Sequence, residues 1–433
     1  MIKRVTVIIA VLAALALSSA QAELQSVKVG GDVRIRGEAL DNMFDLDSDN
    51  SADSWEFYRW RTNVSVDARF SDDVAAFIQF NNEVKGQRFS DSGDSGVVGI
   101  EMAYVELDNV WGKDFDLRLG RQALIYGEGF LMLDGTPADG STSIAFDALK
   151  AMLRFGDNTL DIFTAKVDEG ENAYADDDDL YGLYLTNKSL EKHTAEAYLF
   201  FDNQNSEKTQ GPAGTGMGHP PQDLWVLGTR WTGGITDCLS YRAEAAKEWG
   251  NRNPDTDEEQ DIDAWGGYGS LCYAFTGDWK PALSATYVYY SGEEDPGSTE
   301  GDYEGFDPLF GDWPKWSELL IYTFYDGFNA LKTAGIDPDY GSWTNMRIAE
   351  LRLVCTPAEK VSVNLYAQHY WADEETGLGD GDDRGDLLGV LYNYAFTADV
   401  STHVLFEWFN PGDYYQDDAD EAFYARWNVM VKF

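Results

Sequence analysis

The segment that most constrains this chain is its last one, EAFYARWNVMVKF, residues 421–433. Phe423, Ala425, Trp427, Val429, Val431 and Phe433 share one parity, and Tyr424, Arg426, Asn428, Met430 and Lys432 share the other. Successive side chains of a strand point to opposite faces, so this segment is apolar on one side and polar on the other. One such strand would also suit the edge of a soluble sheet, because alternation is a weak signal per segment. The rest of the chain decides between the two settings.

The same pattern recurs from Leu24 onward. Val27, Val29, Gly31, Val33 and Ile35 alternate with Lys28, Asp32, Arg34, Arg36 and Glu38. Tyr58, Trp60, Thr62, Val64, Val66, Ala68 and Phe70 alternate with Arg59, Arg61, Asn63, Ser65, Asp67 and Arg69. Further segments of about ten residues bring the expected strands to about 18, an even number within the range of single-chain bacterial barrels. The connections carry more weight than any strand. Short turns such as Ser71-Asp72-Asp73 and Gly156-Asp157-Asn158 alternate with long loops near 40–54, 85–97, 127–143, 168–179, 203–222, 250–261, 292–342, 372–386 and 410–420. A soluble sandwich has no reason to segregate loop length so regularly, whereas an outer-membrane barrel has short periplasmic turns and long outer loops. A terminal strand ending on an aromatic resembles the closing strand of such barrels. The fold expected is all-β: one transmembrane antiparallel barrel over residues 23–433.

Residues 1–22 read as a secretory signal: Lys3 and Arg4, an apolar run from Val5 to Leu17, then Ala20-Gln21-Ala22. No later run of about 20 apolar residues would make a membrane helix. The expected location is therefore the outer membrane, in contact with its lipid.

The formal net charge is −44. The long loops hold 46 of the 76 acids but only seven Lys or Arg, so the acidity describes the rim and not the wall. A nucleic-acid partner is disfavoured, since phosphate binding needs a basic surface. Plain solvation explains acidic loops as well as any ligand does.

The polar parity of the wall is rich in cations: Arg34, Arg36, Arg59, Arg61, Arg69, Lys150, Arg154, Arg230, Arg242, Arg352 and Arg426. Asp32, Glu38, Asp67, Glu244, Glu350 and Glu407 share these faces. Guanidinium binds carboxylate and phosphate bidentately and stays charged. The set reads either as a wall guiding anionic solutes or as arginine–carboxylate ladders satisfying a polar lumen.

Four further features bear on function. Asp45, Asp47, Asp49, Ser51, Asp53 and Glu56 fall at calcium-loop spacing, with Asn50 where Gly is usual and no flanking helices. No cofactor is otherwise expected. Within 292–342, Trp316, Leu320, Phe324, Phe328 and Leu331 recur at helical spacing between Asp312 and Gly335, which suggests a helix at the pore mouth. Cys238 and Cys272 share a parity near one end of a hairpin and could form a disulfide, leaving Cys355 free. His403 and Glu407 share a face, but no nucleophile motif accompanies them.

LRLGRQALIYGEGFL (Leu117 to Leu131), FDALKAML (Phe146 to Leu153), GFDPLFGDWPKW (Gly305 to Trp316) and the aromatic end together resemble the alginate-export family of outer-membrane porins. The resemblance implies an 18-stranded monomeric barrel whose arginine-rich lumen passes an anionic polysaccharide. It also implies that Arg118 and Arg121 are pore arginines. The expected function is passive passage of hydrophilic, anionic solutes. The alternative is a barrel-based surface enzyme or adhesin without an open pore.

Overall fold

In a computed structural model, the chain closes into a single antiparallel barrel of 18 strands. The structure describes residues 24–42, 46–49, 54–85, 98–133, 145–168, 177–205, 220–255, 258–294, 301–311, 315–319, 344–376 and 379–433. The strands run from β1 (Ser26–Asp41) and β2 (Trp55–Ser71) through β10 (Gln222–Gly234), β11 (Leu239–Asp255) and β12 (Glu258–Ala274) to β17 (Val400–Asn410) and β18 (Ala422–Lys432). Each pairs with its sequence neighbours, and β1 pairs with β18 from Asp32↔Lys432 to Asp41↔Phe423. Closure leaves no edge strand, as a wall surrounded by lipid requires. The expected strand number and alternation are both met.

One loop differs from expectation. Residues 250–255 and 258–261 continue the ladder instead of forming a separate loop, since β11 reaches Asp255 and β12 begins at Glu258. Register shows it: Asn251↔Asp261 and Arg252↔Gln260 remain paired, with Arg252 and Gln260 buried on the inner face.

The two faces follow parity. Outward residues include Tyr58 and Trp60 on β2, and Trp225 and Leu227 on β10, all exposed. Tyr181, Phe201, Trp225 and Trp249 stand opposite one another on β8 (Asp178–Asn187), β9 (His193–Gln204), β10 and β11. The rings of Phe201 and Trp225 stack at 4.3 Å. Two residues further along each strand, Asp179, Asn203, Asp223 and Asn251 form a polar row. An aromatic row bordered by a polar one marks the interface where lipid gives way to water.

Inside, buried apolar side chains belong to wall residues and to two segments folded into the lumen. One is residues 124–133, the other includes 305–311 and 315–319, and they meet at a bridge between Met132 and Phe310. Leu133 N donates to Phe310 O at 2.7 Å, and Phe310 N donates to Leu131 O at 3.0 Å. Phe130 stacks on Tyr290 at 5.4 Å, and Tyr126 on Tyr184 at 4.4 Å. These rings are buried, and burying each contributes about 1.5–3 kcal/mol or more. The wall makes room through glycine: a Cβ on Gly228 would lie 2.1 Å from the Tyr198 ring.

Candidate functional site

The arginines of β1 and β2, and Arg118 of β5 (Phe115–Gln122), face the lumen in ladders with acids. Arg36 and Arg59 converge on Glu38, at 3.4 Å and 3.8 Å, and Arg59 also meets Glu83 at 3.1 Å. Arg61 binds Asp32 at 3.0 Å, and Arg34 is fully buried beside them. Arg118 binds Glu106 at 2.7 Å, with its guanidinium 4.7 Å from the Tyr104 ring. Nearer the periplasmic end, Arg69 pairs with Asp108 at 3.6 Å, Arg154 with Asp116, and Lys150 with Asp161 at 3.2 Å. Arg352 binds Glu350 at 2.7 Å. The ladder reading therefore holds for these positions, and it leaves charge of both signs along the wall.

Arg121 is a correction. It lies three residues from Arg118, so period two puts the two on opposite faces. Arg121 points outward and is held by Asp147 on β6 (Phe146–Phe155), with both side chains about half exposed. It is not a pore residue. The disulfide is a second correction: Cys238, Cys272 and Cys355 are all free. Both members of the expected pair do share the inward parity, but Cys272 stands opposite Ser240, which leaves Cys238 two residues out of register.

The lumen narrows where residues 124–133 cross it. Glu128, at the tip, reaches wall residues of β10 and β11. Its Oε1 accepts from Arg230 Nη2 at 2.8 Å, and its Oε2 accepts from Arg242 Nη1. Lys315 Nζ donates to the Glu128 backbone carbonyl. Burial alone would favour the neutral acid, but Arg242, Arg230 and Lys315 outweigh it and hold the Glu128 carboxyl below the ordinary value. Arg230 is anchored independently, because Glu196 accepts from its Nη1 and Glu244 lies 3.8 Å from its Nε. Tyr198 OH donates to Glu244 at 3.0 Å.

Residues 315–319 dock on β15 (Val361–Trp371), β17 and β18. Glu407 accepts from Leu319 N at 2.7 Å and Ser317 Oγ at 3.1 Å, and Tyr366 OH donates to it as well. Glu318 pairs with Arg426, whose Nε donates to His403 Nε2 at 3.1 Å. Gln368 donates to Trp316 O at 3.0 Å, and Trp316 Nε1 donates to Tyr290 OH at 2.9 Å. His403 and Glu407 thus serve structural bonds. The remainder of the expected helix, from Leu320 through Gly335, and its start at Asp312 lie outside the described residues.

Of the calcium-spaced set, Asp45, Ser51 and Asp53 lie outside the described residues. Asp49 N donates to Asp47 Oδ1 at 3.0 Å, and Glu56 sits in β2 opposite Ala39. Among the described residues, no group of three or more His, Cys, Asp or Glu side chains could hold a metal ion.

Sequence reasoning did not single out Glu128, Lys315 or Glu318. A signal was present: Gly129-Phe130-Leu131-Met132-Leu133 is too apolar for a solvated loop and belongs against a core.

Comparison with known proteins agrees with this architecture. The sequence matches no curated protein. Pseudomonas aeruginosa OpdK, solved with vanillate, superposes with a TM-score of 0.59 at 9% identity, covering 94% of this chain and 98% of that one. Pseudomonas aeruginosa OpdO gives 0.59 at 11%, covering 95% and 98%. A BenF-like porin from Pseudomonas fluorescens Pf-5 gives 0.57 at 10%, covering 95% and 99%. At these identities the likeness is one of fold. The sequence model of the alginate export family matches residues 25–428, nearly the whole wall. This chain therefore belongs to the alginate export family and is a porin-type barrel of the outer membrane.

Proposed function

We propose that the protein is a passive channel for hydrophilic solutes bearing carboxylates, sugar acids and their oligomers included. The observation that carries this reading is the lumen wall, where Arg36, Arg59, Arg61, Arg118, Arg230, Arg352 and Arg426 face inward around the barrel. Guanidinium groups in a confined space select for planar anions. OpdK, similar in fold, was solved with vanillate, an aromatic carboxylate. A long polysaccharide would need residues 124–133, 305–311 and 315–319 to leave the lumen; a small acid needs a smaller displacement.

An enzymatic role has less support, because the inward His403 and Glu407 are both engaged in holding Arg426 and the inserted segment. The closed barrel leaves no edge strand through which a second copy could pair. The test is purified protein in planar bilayers. Steps of conductance with anion preference support the channel. A folded barrel that never conducts overturns it and favours the sealed surface protein.

A further inference from the structure

We propose that Glu128 is an internal competitor: it occupies a carboxylate-binding site, built by Arg230 and Arg242, that a solute carboxylate takes over during passage. The proposal rests on the channel reading and adds to it the place and the means of selection.

Three observations carry it. First, Glu128 binds as a ligand would. Its two oxygens go to two different guanidinium groups on two different strands, so the carboxylate bridges them. Nothing in the backbone of β10 or β11 requires that bridge, since those strands are already paired along Gln222↔Arg252 to Gly234↔Ser240.

Second, the site survives departure of its occupant unequally. Arg230 keeps Glu196 and Glu244 on the wall. Arg242 has no other carboxylate partner among the described residues, and its side chain is 41% exposed. When Glu128 leaves, Arg230 stays in place while Arg242 has charge to offer. A solute carboxylate restores what was lost, which makes the exchange close to balanced.

Third, the segment is built to swing. Glu128 lies between Gly127 and Gly129, whose φ values are +59° and +71°. That left-handed region is open to glycine at no steric cost. A Cβ on Gly127 would also lie 2.9 Å from Arg230 Cδ, so glycine permits the close approach. Release by rotation about these glycines gives up the bonds from Gly129 N to Tyr126 O and from Lys315 Nζ to Glu128 O, and breaks no bond of the wall.

The experiment compares wild type, Glu128→Gln and the double variant Glu128→Gln with Arg242→Gln, each in planar bilayers. The probe is sodium glucuronate, with glucose as the neutral control. Heat-sensitive electrophoretic mobility confirms that each barrel is folded. Glutamine keeps the shape of Glu128 but not its charge, so the concentration of glucuronate that halves the current should fall about tenfold, as expected when one charged competitor is removed. The double variant should return to the wild-type value or above, and glucose should distinguish none of the three. Equal half-blocking concentrations in wild type and Glu128→Gln overturn the competitor while leaving the channel intact. An enhanced block that persists in the double variant overturns Arg242 as the receiving group. Folded barrels that conduct in none of the three forms overturn the channel and the competitor together. Calorimetric titration of glucuronate into the detergent-solubilised proteins gives an independent reading, with the same order of affinities expected.

Discussion

The carboxylate of Glu407 accepts a hydrogen bond from the backbone N–H of Leu319 at 2.7 Å, across 88 residues of sequence. A single side chain of β17 thus ties an inserted segment to the wall, with Ser317 and Tyr366 donating to the same acid. Glu407→Ala would leave three buried donors without an acceptor, at about 1–3 kcal/mol each. The segment should come off the wall: protease should cut near 315–319 sooner, and the mean conductance should rise. Glu407→Gln, which keeps one acceptor oxygen, should fall between. An unchanged cleavage pattern in Glu407→Ala would show that other contacts suffice.

Arg59 and Arg61 serve a wall whose charge is nearly balanced. Removing both by Arg59→Ala with Arg61→Ala leaves Glu38, Glu83 and Asp32 with less positive charge nearby. The ion preference should shift toward cations, visible as a displaced reversal potential in a salt gradient. An unmoved potential would remove these two residues from the ion pathway.

Arg121 gives the opposite expectation. Resemblance to a family block paired it with Arg118, yet the period of a strand separates residues three apart onto different faces. Arg121→Ala should leave the reversal potential unchanged, because the side chain faces outward beside Asp147. Its cost should appear in thermal stability, at about 0.2–1 kcal/mol for a half-exposed ion pair. A change in selectivity would place Arg121 back in the lumen.

That contrast shows what the sequence made legible. Parity along a strand is a local property, so the wall, its outward aromatics and its inward arginines such as Arg36, Arg61 and Arg230 could be read directly. Contacts between loops and wall are not local. Glu128 meets Arg242 across 114 positions, and no period in the sequence links them. The apolar stretch after Glu128 announced burial without saying against what. The cysteines show the same limit, since Cys238 and Cys272 share the expected face and yet stand two residues out of register.

Acidification should separate the rim from the inserted loop. Burial raises the Glu304 carboxyl above its ordinary value, with Glu293 and Glu294 adding to it. Burial likewise raises Glu374, with Asp373 and Glu294 adding. Both therefore take up protons before an ordinary carboxylate does. Glu128 behaves in reverse: its value in the folded protein is depressed, so its hold on Arg230 and Arg242 is complete above the ordinary value of about 4.3 and is lost as pH falls through the lower one. Two stages follow as the bath is taken from about pH 7 to about pH 3. In the first, neutralised rim acids should strengthen anion preference with little change in conductance. In the second, conductance should climb as Glu128 is protonated and leaves its arginines. Glu128→Gln should show the first stage and lack the second. If wild-type conductance climbs already in the first stage, the contact between Glu128 and its two arginines does not set the width of the pathway.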